Sequence, residues 1–301
     1  MVVVVAGATG HVGLAAVYAL VAQGAEVRAL TRKSTSEAVA PLRELSKVQI
    51  VECNLSDGDA SLATVFSDAT AALLTCANFR GQVDAEKAFI DAAVAGGCPY
   101  LVKLATVQCY TAKDSPCEYA RFHAEINEYC ERVAGSMKVT TLCPNWFMTN
   151  HLADIFGTLP QSIIAYPVVS EAKATIVDPR DVGDVAAALL MTPDPSKYHG
   201  LTLDVAGPEP TSMAQLAALY ADTLGRPVKH VMCPMEAWIA AGVQAGLPDW
   251  LAQAVSLNFG YWEAGELAFE SSPEVLALAP PKRTMSEWIH EWAPRSPPAS
   301  A

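Results

Sequence analysis

The sequence lacks the features that mark membrane, secreted or nucleic-acid-binding proteins. No apolar run reaches the roughly 20 residues that a helix needs to cross a bilayer. The eight cysteines form no Cys-x-x-Cys pair and no His/Cys cluster with the spacing of a zinc site. Acidic residues outnumber basic ones by 32 to 20, and the net charge of −12 repels a phosphate backbone. These absences predict a reduced, cytoplasmic protein that binds no metal, no membrane and no nucleic acid.

The sequence does contain ample material for a buried core. Apolar residues make up 51% of the 301 residues and charged residues 17%, which is typical of a globular chain of one or two domains. The opening run of valines at 2–5 follows no basic segment and leads into a glycine-rich stretch. We therefore expect a first strand there and not a signal peptide.

Short β-rich runs alternate with alanine-rich helical runs in the first half of the chain. Strands are expected at 2–6, 26–31, 48–53, 71–75, 100–105 and 138–143, and helices at 12–23, 84–95 and 119–133. Strands that alternate with helices form a parallel sheet covered on both faces, and such buried strands are almost wholly apolar, as these are. The pattern predicts an α/β fold with a doubly wound parallel sheet.

The first strand is followed by a glycine-rich turn that leads into the first helix, and the turn reads GATGHVG at 7–13. Glycine permits a tight turn and a close approach of the backbone to a pyrophosphate, and the helix N-terminus supplies free N–H groups. A turn without a ligand is the alternative, but the strand–turn–helix context favours a Rossmann-type nicotinamide dinucleotide site. The expected cofactor contacts in this turn are Gly7, Thr9, Gly10, His11, Val12 and Gly13.

The end of the second strand distinguishes the two nicotinamide cofactors. An NAD site usually places Asp or Glu here to bind the ribose hydroxyls, whereas this strand ends in Thr31, Arg32 and Lys33, followed by Ser34. Glu26 lies at the beginning of the strand, which is the wrong end. Cations beside hydroxyl groups suit a 2′-phosphate, and a solvated basic loop is the alternative. We therefore expect NADP(H) to be preferred over NAD(H).

The second half of the chain has more prolines and aromatic residues, and the strand–helix alternation fades after Pro144. Asp178 and Pro179 predict a helix start, and a strand at 201–205 and a helix at 211–224 are expected further on. We expect an NADP(H)-binding Rossmann domain at 1–150. A mixed region at 151–294 would complete the sheet and form a small C-terminal substrate lobe, before a disordered tail at 295–301.

Several segments carry a resemblance to a known family. They read VAGATGHVG at 5–13, VRALTR at 27–32, HAEINE at 123–128, TLCPNWFMTN at 141–150, VDPRDVGDVA at 177–186, GPE at 207–209 and LGRPV at 224–228. On these segments the sequence resembles the NmrA-like branch of the atypical short-chain dehydrogenase/reductases. The resemblance implies a Rossmann domain, a C-terminal substrate lobe and NADP(H). It leaves the activity open, because some members reduce quinones, enones, imines or dyes and others act as redox sensors.

Four residues are candidates for the chemistry. Ordinary short-chain reductases use a Ser or Thr after the fifth strand and a Tyr-x-x-x-Lys pair on the next helix. Here Thr106 takes the hydroxyl position, and Tyr119 is followed one helical turn later by His123 in place of lysine. Tyr119 is the candidate proton donor, with simple packing as the alternative, and His123 could carry a proton near neutral pH. Lys103, within the apolar fifth strand, would contact the cofactor or be held by a buried partner.

Loops after the other strands are expected to complete the site at the carboxyl edge of the sheet. The further cofactor contacts are Asn54, Thr75, Cys76, Ala77, Lys103, Pro144 and Trp146, and the substrate contacts are Phe79, Trp146, Phe147 and His151. Asn54 would bind the adenine amine or act only as a turn residue. Core packing is the alternative for the aromatic side chains.

Two functions fit these residues. The first is an NADPH-dependent reductase that transfers hydride to a small hydrophobic carbonyl, imine or conjugated alkene. The alternative is a non-enzymatic NADP(H) redox sensor that regulates a protein partner; a non-redox enzyme that uses the cofactor as a scaffold stays open. The Tyr119–His123 spacing favours the enzyme and the loss of the helix lysine favours the sensor. We predict the reductase, and the sequence carries no signal for the oligomeric state.

Overall fold

The computed structural model describes residues 1–57 and 61–296, and it confirms the predicted doubly wound α/β fold. Within this part of the chain the strands are β1 (Val2–Ala6), β2 (Glu26–Thr31), β3 (Val48–Glu52), β4 (Ala71–Leu74), β5 (Tyr100–Leu104), β6 (Lys138–Pro144), β7 (Ile163–Tyr166), β8 (Lys173–Ala174), β9 (Thr202–Val205), β10 (Thr211–Ser212) and β11 (Lys229–Met232). Seven of these described strands form one parallel sheet in the order β3-β2-β1-β4-β5-β6-β9.

Helices cover both faces of this sheet. The helices of the described part of the chain are α1 (His11–Ala22), α2 (Ala40–Arg43), α3 (Ser61–Val65), α4 (Gln82–Ala95), α5 (Glu118–Val133), α6 (Pro179–Leu190), α7 (Met213–Leu224), α8 (Met235–Gln244), α9 (Asp249–Ser256), α10 (Asn258–Glu263), α11 (Pro273–Leu278) and α12 (Met285–Trp292). Val3 and Val5 of β1 pack in one core with α1 and α6, and Val4 and Ala6 pack in another with α4 and α5. Because alternate side chains of a strand point to opposite faces, β1 is apolar throughout.

The element boundaries differ from the predicted ones by one or two residues. β3, β4 and β5 each end one residue early, and α4 begins at Gln82 after Gly81, whose φ of +107° ends the preceding loop. The expected helix at 211–224 begins at Met213 because the two residues before it form β10. The hydroxyl of Ser212 accepts a hydrogen bond from the Gln215 N–H and caps α7.

The C-terminal half adds a third core around aromatic residues. Trp262 and Trp288 are fully buried there with Phe259 and Tyr220. Two small sheets, β8 with β10 and β7 with β11, were not predicted, because strands of two to four residues show no alternation. In the described ranges no helix combines the length and apolarity that a bilayer span requires. Of the predicted tail, Arg295 belongs to a 3₁₀ turn, and residues 297–301 lie outside the described part.

Candidate cofactor and substrate site

A cavity of about 560 Å³ lies at the carboxyl ends of the central strands. It is lined by Ala6, Gly7, Thr9, Gly10, Leu30, Thr31, Arg32, Cys53, Asn54, Leu55, Ser56, Thr75, Cys76, Ala77, Phe79 and Ala85. Many of the predicted cofactor contacts therefore meet in one space. Glu26 lines a separate cavity of about 270 Å³ at the amino ends of the strands, so the acid that an NAD site requires is at the wrong edge.

The glycine turn forms a backbone cradle at one end of this cavity. Gly7 has φ +70°, and a Cβ on Gly7 would lie 2.3 Å from the Thr75 carbonyl oxygen. A Cβ on Gly13 would lie 2.2 Å from the Gly7 carbonyl oxygen. No side chain caps α1, and its first turn holds no acid, so the N–H groups there are available to an anion. The cradle therefore fits the pyrophosphate of a dinucleotide.

The end of β2 carries a cation into the same cavity. Arg32 is exposed and lines the cavity, whereas Lys33 is exposed but is not among the lining residues. Ser34 does not act with them, because its N–H and hydroxyl both donate to the Glu52 carboxylate. These two hydrogen bonds lower the pKa of Glu52. Asn54 lines the cavity while its Oδ1 accepts from the Ser56 N–H at 3.3 Å, so it also forms the predicted turn.

Lys103 is completely buried and fully partnered. Its Nζ lies 3.0 Å from His123 Nδ1, 3.3 Å from the Leu104 carbonyl oxygen and 3.8 Å from Glu86 Oε2. Gln82 donates to the other oxygen of Glu86 at 2.7 Å. Burial raises the pKa of Glu86, and the Lys103 charge opposes that rise. The structure thus gives Lys103 the partnered arrangement, and this lysine does not line the cavity.

His123 is neutral in this arrangement. A lysine ammonium has donors and no acceptor, so His123 Nδ1 accepts in their hydrogen bond. Burial, reinforced by the Lys103 charge, holds the pKa of His123 well below 6.5. Burial and the Lys103 charge both oppose the predicted protonation of His123 near neutral pH, and the sequence does not reveal this burial.

Replacing His123 with Asn should flatten the dependence of stability on pH. The unfolded chain protonates this histidine below pH 6.5 and the folded chain does not, so acidification favours the unfolded state. Between about pH 7.5 and pH 5.5, protonation of this histidine in the unfolded chain should lower the free energy of unfolding of the wild type by about 1.4 kcal/mol. The variant lacks the histidine, so its free energy of unfolding should fall by about 1.4 kcal/mol less over the same range. Urea unfolding at the two pH values measures this difference. His290→Asn, at an exposed position, is the control; equal losses in His123→Asn and the wild type would contradict the assignment.

Tyr119 lies in a separate group of hydrogen-bonding side chains. Its hydroxyl accepts from Asn258 Nδ2 at 2.7 Å and lies 3.5 Å from the Tyr110 hydroxyl, which is 3.2 Å from Thr106 Oγ1. Burial raises the pKa of Tyr119 well above 10, and Tyr110 and Cys117 raise it further. Tyr119 and His123 share a helix but bond to different partners, so the cation that would activate the tyrosine is not beside it.

The residues predicted after β6 lie mostly in packed surroundings. The Trp146 ring lies 5.8 Å from both Phe259 and Trp262, tilted against the first and edge-to-face with the second, inside the aromatic core. His151 is fully buried and bonds to Asp154 at 2.8 Å. Within the described ranges Phe79 is the one expected substrate contact that lines the cavity. The other expected residues that do not line it are His11, Val12, Gly13, Lys33, Thr106, Tyr119, His123, Pro144 and Phe147.

Four residues of these groups were missed in the sequence. Gln82 and Glu86 are polar residues four apart on one face of α4, a spacing that could have signalled a buried pair. Tyr110 and Asn258 are 148 residues apart and follow no motif. Their contact depends on how the C-terminal half packs on the loop after β5.

The chain is similar to known proteins along most of its length. The model of the NmrA-like family matches residues 1–289. An NAD(P)H azoreductase of Xenophilus azovorans is 28% identical over 209 residues, covering 69% of this chain and 70% of that protein. The structure of an NADPH-dependent quinone oxidoreductase from Escherichia coli, complexed with NADPH, has a TM-score of 0.80 at 22% identity and covers 97% of this chain and 99% of that chain.

A regulator shares the fold as well. The structure of NmrA, a negative transcriptional regulator in complex with NADP, has a TM-score of 0.76 at 17% identity and covers 98% of this chain and 95% of that chain. At such low identities the similarity between structures shows the fold alone. The family match, in contrast, spans nearly the whole sequence, as the motifs predicted. The chain belongs to the NmrA-like family.

Proposed function

We propose that this protein is an NADPH-dependent reductase of conjugated, electron-poor acceptors such as quinones and azo compounds. The observation that carries the proposal is the cavity of about 560 Å³ that joins the glycine cradle to Arg32. The azoreductase and the quinone oxidoreductase among its relatives support the same class of reaction.

The lining residues divide the cavity into binding regions. The backbone of Gly7 and Gly10 and the free N–H groups of α1 would hold the pyrophosphate. Arg32 would bind the 2′-phosphate, and Asn54 the adenine. Thr75 and its neighbours at the end of β4 would lie along the path to the nicotinamide, since that strand end lines the same space. When bound, the reduced nicotinamide supplies a hydride.

The choice of acceptor follows from the lack of an activated acid. Tyr119 is buried with a raised pKa, and His123 is neutral and committed to Lys103. In the described part of the site, neither of these groups offers an easily lost proton to a developing alkoxide. A quinone or an azo compound delocalises the charge it acquires and takes its proton from water. A simple ketone needs a strong acid at the moment of hydride transfer.

A panel of acceptors tests this function. NADPH absorbance should fall with quinones and azo dyes and stay unchanged with a saturated cyclic ketone of the same ring size. Gly13→Ala protein, in which NADPH binding should be weakened, serves as the control for direct reaction between NADPH and the quinone in solution. Equal turnover of the saturated ketone would overturn the proposed substrate class. Tight NADPH binding without turnover of any acceptor would overturn the reductase and favour a sensor, the second candidate function, which the NADP-bound regulator structure supports.

The preference for NADPH over NADH should depend on Arg32 more than on Lys33. Arg32→Gln removes the cation that lines the cavity, and a charge-assisted hydrogen bond of about 1.5–3 kcal/mol corresponds to an affinity loss of about 10- to 100-fold for NADPH. NADH, which has no 2′-phosphate, should bind both proteins alike. Fluorescence titration gives the four dissociation constants. Lys33→Gln is the matched control with a smaller effect; a larger loss in Lys33→Gln than in Arg32→Gln would contradict the assignment.

A further inference from the structure

Four side chains connect the loop after β5 to helix α10. The Tyr110 hydroxyl is 2.8 Å from Asn258 Oδ1 and 3.2 Å from Thr106 Oγ1, and Asn258 Nδ2 is 2.7 Å from the Tyr119 hydroxyl. Tyr110 is 5% exposed, and Tyr119 and Asn258 are each 4% exposed. Thr106 is half-buried and does not line the cavity, but it alone among these four keeps part of its surface exposed, two residues beyond the carboxyl end of β5.

The orientation of the Asn258 amide is fixed by the backbone. Asn258 Nδ2 donates to the Val255 carbonyl oxygen at 2.8 Å, and a carbonyl oxygen can only accept. The amide oxygen must then face Tyr110. Two oxygens at 2.8 Å need a proton between them. Because the amide oxygen has none, the single hydroxyl proton of Tyr110 is committed to Asn258.

This commitment decides the direction of the next hydrogen bond. Tyr110 has no second proton, so the proton between Tyr110 and Thr106 must come from Thr106 Oγ1. The Tyr119 hydroxyl, which already accepts from Asn258, directs its own proton towards the remaining lone pair of Tyr110 at 3.5 Å. Every proton of the four groups is then assigned, and Thr106 has only lone pairs left for its open side.

We propose that Asn258, through Tyr110, makes Thr106 Oγ1 a hydrogen-bond acceptor in the reaction site. Thr106 then selects a ligand group that carries an N–H or O–H donor, and it does not donate to a substrate carbonyl as the ordinary hydroxyl of a short-chain reductase does. This inference rests on the proposed function in one respect. It requires that a dinucleotide or its substrate binds beside the carboxyl end of β5. The donor belongs either to the carboxamide of the nicotinamide or to the substrate.

The first measurement compares two dinucleotides. NADP⁺ carries a ring carboxamide with N–H donors, and its acetylpyridine analogue has a carbonyl at the same place without them. If the carboxamide is the donor, wild-type protein should bind NADP⁺ about two- to tenfold more tightly than the analogue. In Thr106→Val the two dissociation constants should become equal. The two dissociation constants are compared for the same protein, so a small loss of affinity for both dinucleotides does not change their ratio.

Two further variants test the roles of Asn258 and Tyr110 as positioning residues. Asn258→Leu releases the Tyr110 proton, which can then turn to Thr106 and free the threonine to donate. Tyr110→Phe removes the acceptor that holds the Thr106 proton. Both variants keep Thr106 but should lose the preference that the wild type shows, a result that loss of packing alone would not produce. Thermal unfolding confirms that each variant is folded before titration.

The second measurement tests the substrate as the source of the donor. NADP⁺-loaded protein is titrated with a naphthoquinone and with its ring-amino derivative, for the wild type and for Thr106→Val. A preference for the amino compound that Thr106→Val removes would support the proposal with the donor on the substrate. If Thr106→Val changes neither the dinucleotide ratio nor the quinone ratio, the proposal is overturned. A protein that binds these ligands and reduces none of them would refute the reductase alone, because both ratios are binding measurements.

Discussion

Lys103→Met is expected to lower the free energy of unfolding by about 3–5 kcal/mol. The substitution leaves Glu86, which is 0% exposed, without the cation 3.8 Å away. It also removes the donor to His123 Nδ1. An unpaired buried carboxylate must bind a proton or draw in water, and both are costly. Urea unfolding at neutral pH measures the loss.

The double variant Lys103→Met, Glu86→Leu shows whether the loss of stability in Lys103→Met comes from the unpaired charge or from altered packing. Removing both charges replaces the pair with apolar side chains of similar volume, so most of the stability should return. Lys138→Met, at a half-buried position where β6 begins, is the matched control and should change stability by less than about 0.5 kcal/mol. If the double variant is no more stable than Lys103→Met, the loss comes from packing and the charge argument fails.

Gly13→Ala is expected to weaken NADPH binding by about 10- to 100-fold, because a displaced turn loses charge-assisted hydrogen bonds to the pyrophosphate, each of which contributes about 1.5–3 kcal/mol. The added Cβ would lie 2.2 Å from the Gly7 carbonyl oxygen and 2.8 Å from its carbon. Backbone atoms cannot rotate away as a side chain can, so the turn must move. The movement shifts Gly7, which is itself packed so closely against Thr75 that an added Cβ would clash with it. Fluorescence titration with NADPH measures the change.

Gly260→Ala provides the comparison for this prediction. A Cβ on Gly260, in α10, meets nothing within 4 Å, and alanine favours a helix, so both affinity and stability should be kept. Circular dichroism of Gly13→Ala should show a folded protein. Wild-type affinity in a folded Gly13→Ala protein would show that the turn does not hold the cofactor.

The fold could be predicted because its signals are local. Each sheet strand up to β6 is a short run rich in apolar and β-branched residues, and α1 and α4 between them follow alanine-rich stretches. The glycine turn and Arg32 were found in the same way, since each is a few residues next to a strand end. Short strands such as β8 and β10 depend on each other across the chain and give no pattern of their own.

The protonation states could not be predicted from the sequence. His123 follows Tyr119 at a spacing that favours a common site, but its charge depends on Lys103, which reaches it from β5. Glu86, on α4, completes the group from a third element. Burial acts on all of them through packing, which single-residue patterns do not describe.

The aromatic residues after β6 show a related difficulty. Trp146 and His151 follow the last strand of the N-terminal alternation, where a substrate pocket is expected in this fold. The structure instead packs Trp146 between Phe259 and Trp262. A lobe with little regular structure needs large side chains for its own core, so an aromatic residue there marks packing more often than a ligand contact.

The position of β9 has a consequence for how the chain acquires its structure during synthesis. β9 pairs with β6 along four residues, although about 60 residues separate them in sequence. Until β9 leaves the ribosome, β6 presents an unpaired apolar edge, which is prone to pairing with another chain. The N-terminal part of the sheet is therefore dependent on late-synthesised residues, and nascent chains halted before Thr202 should be the species that chaperones retain.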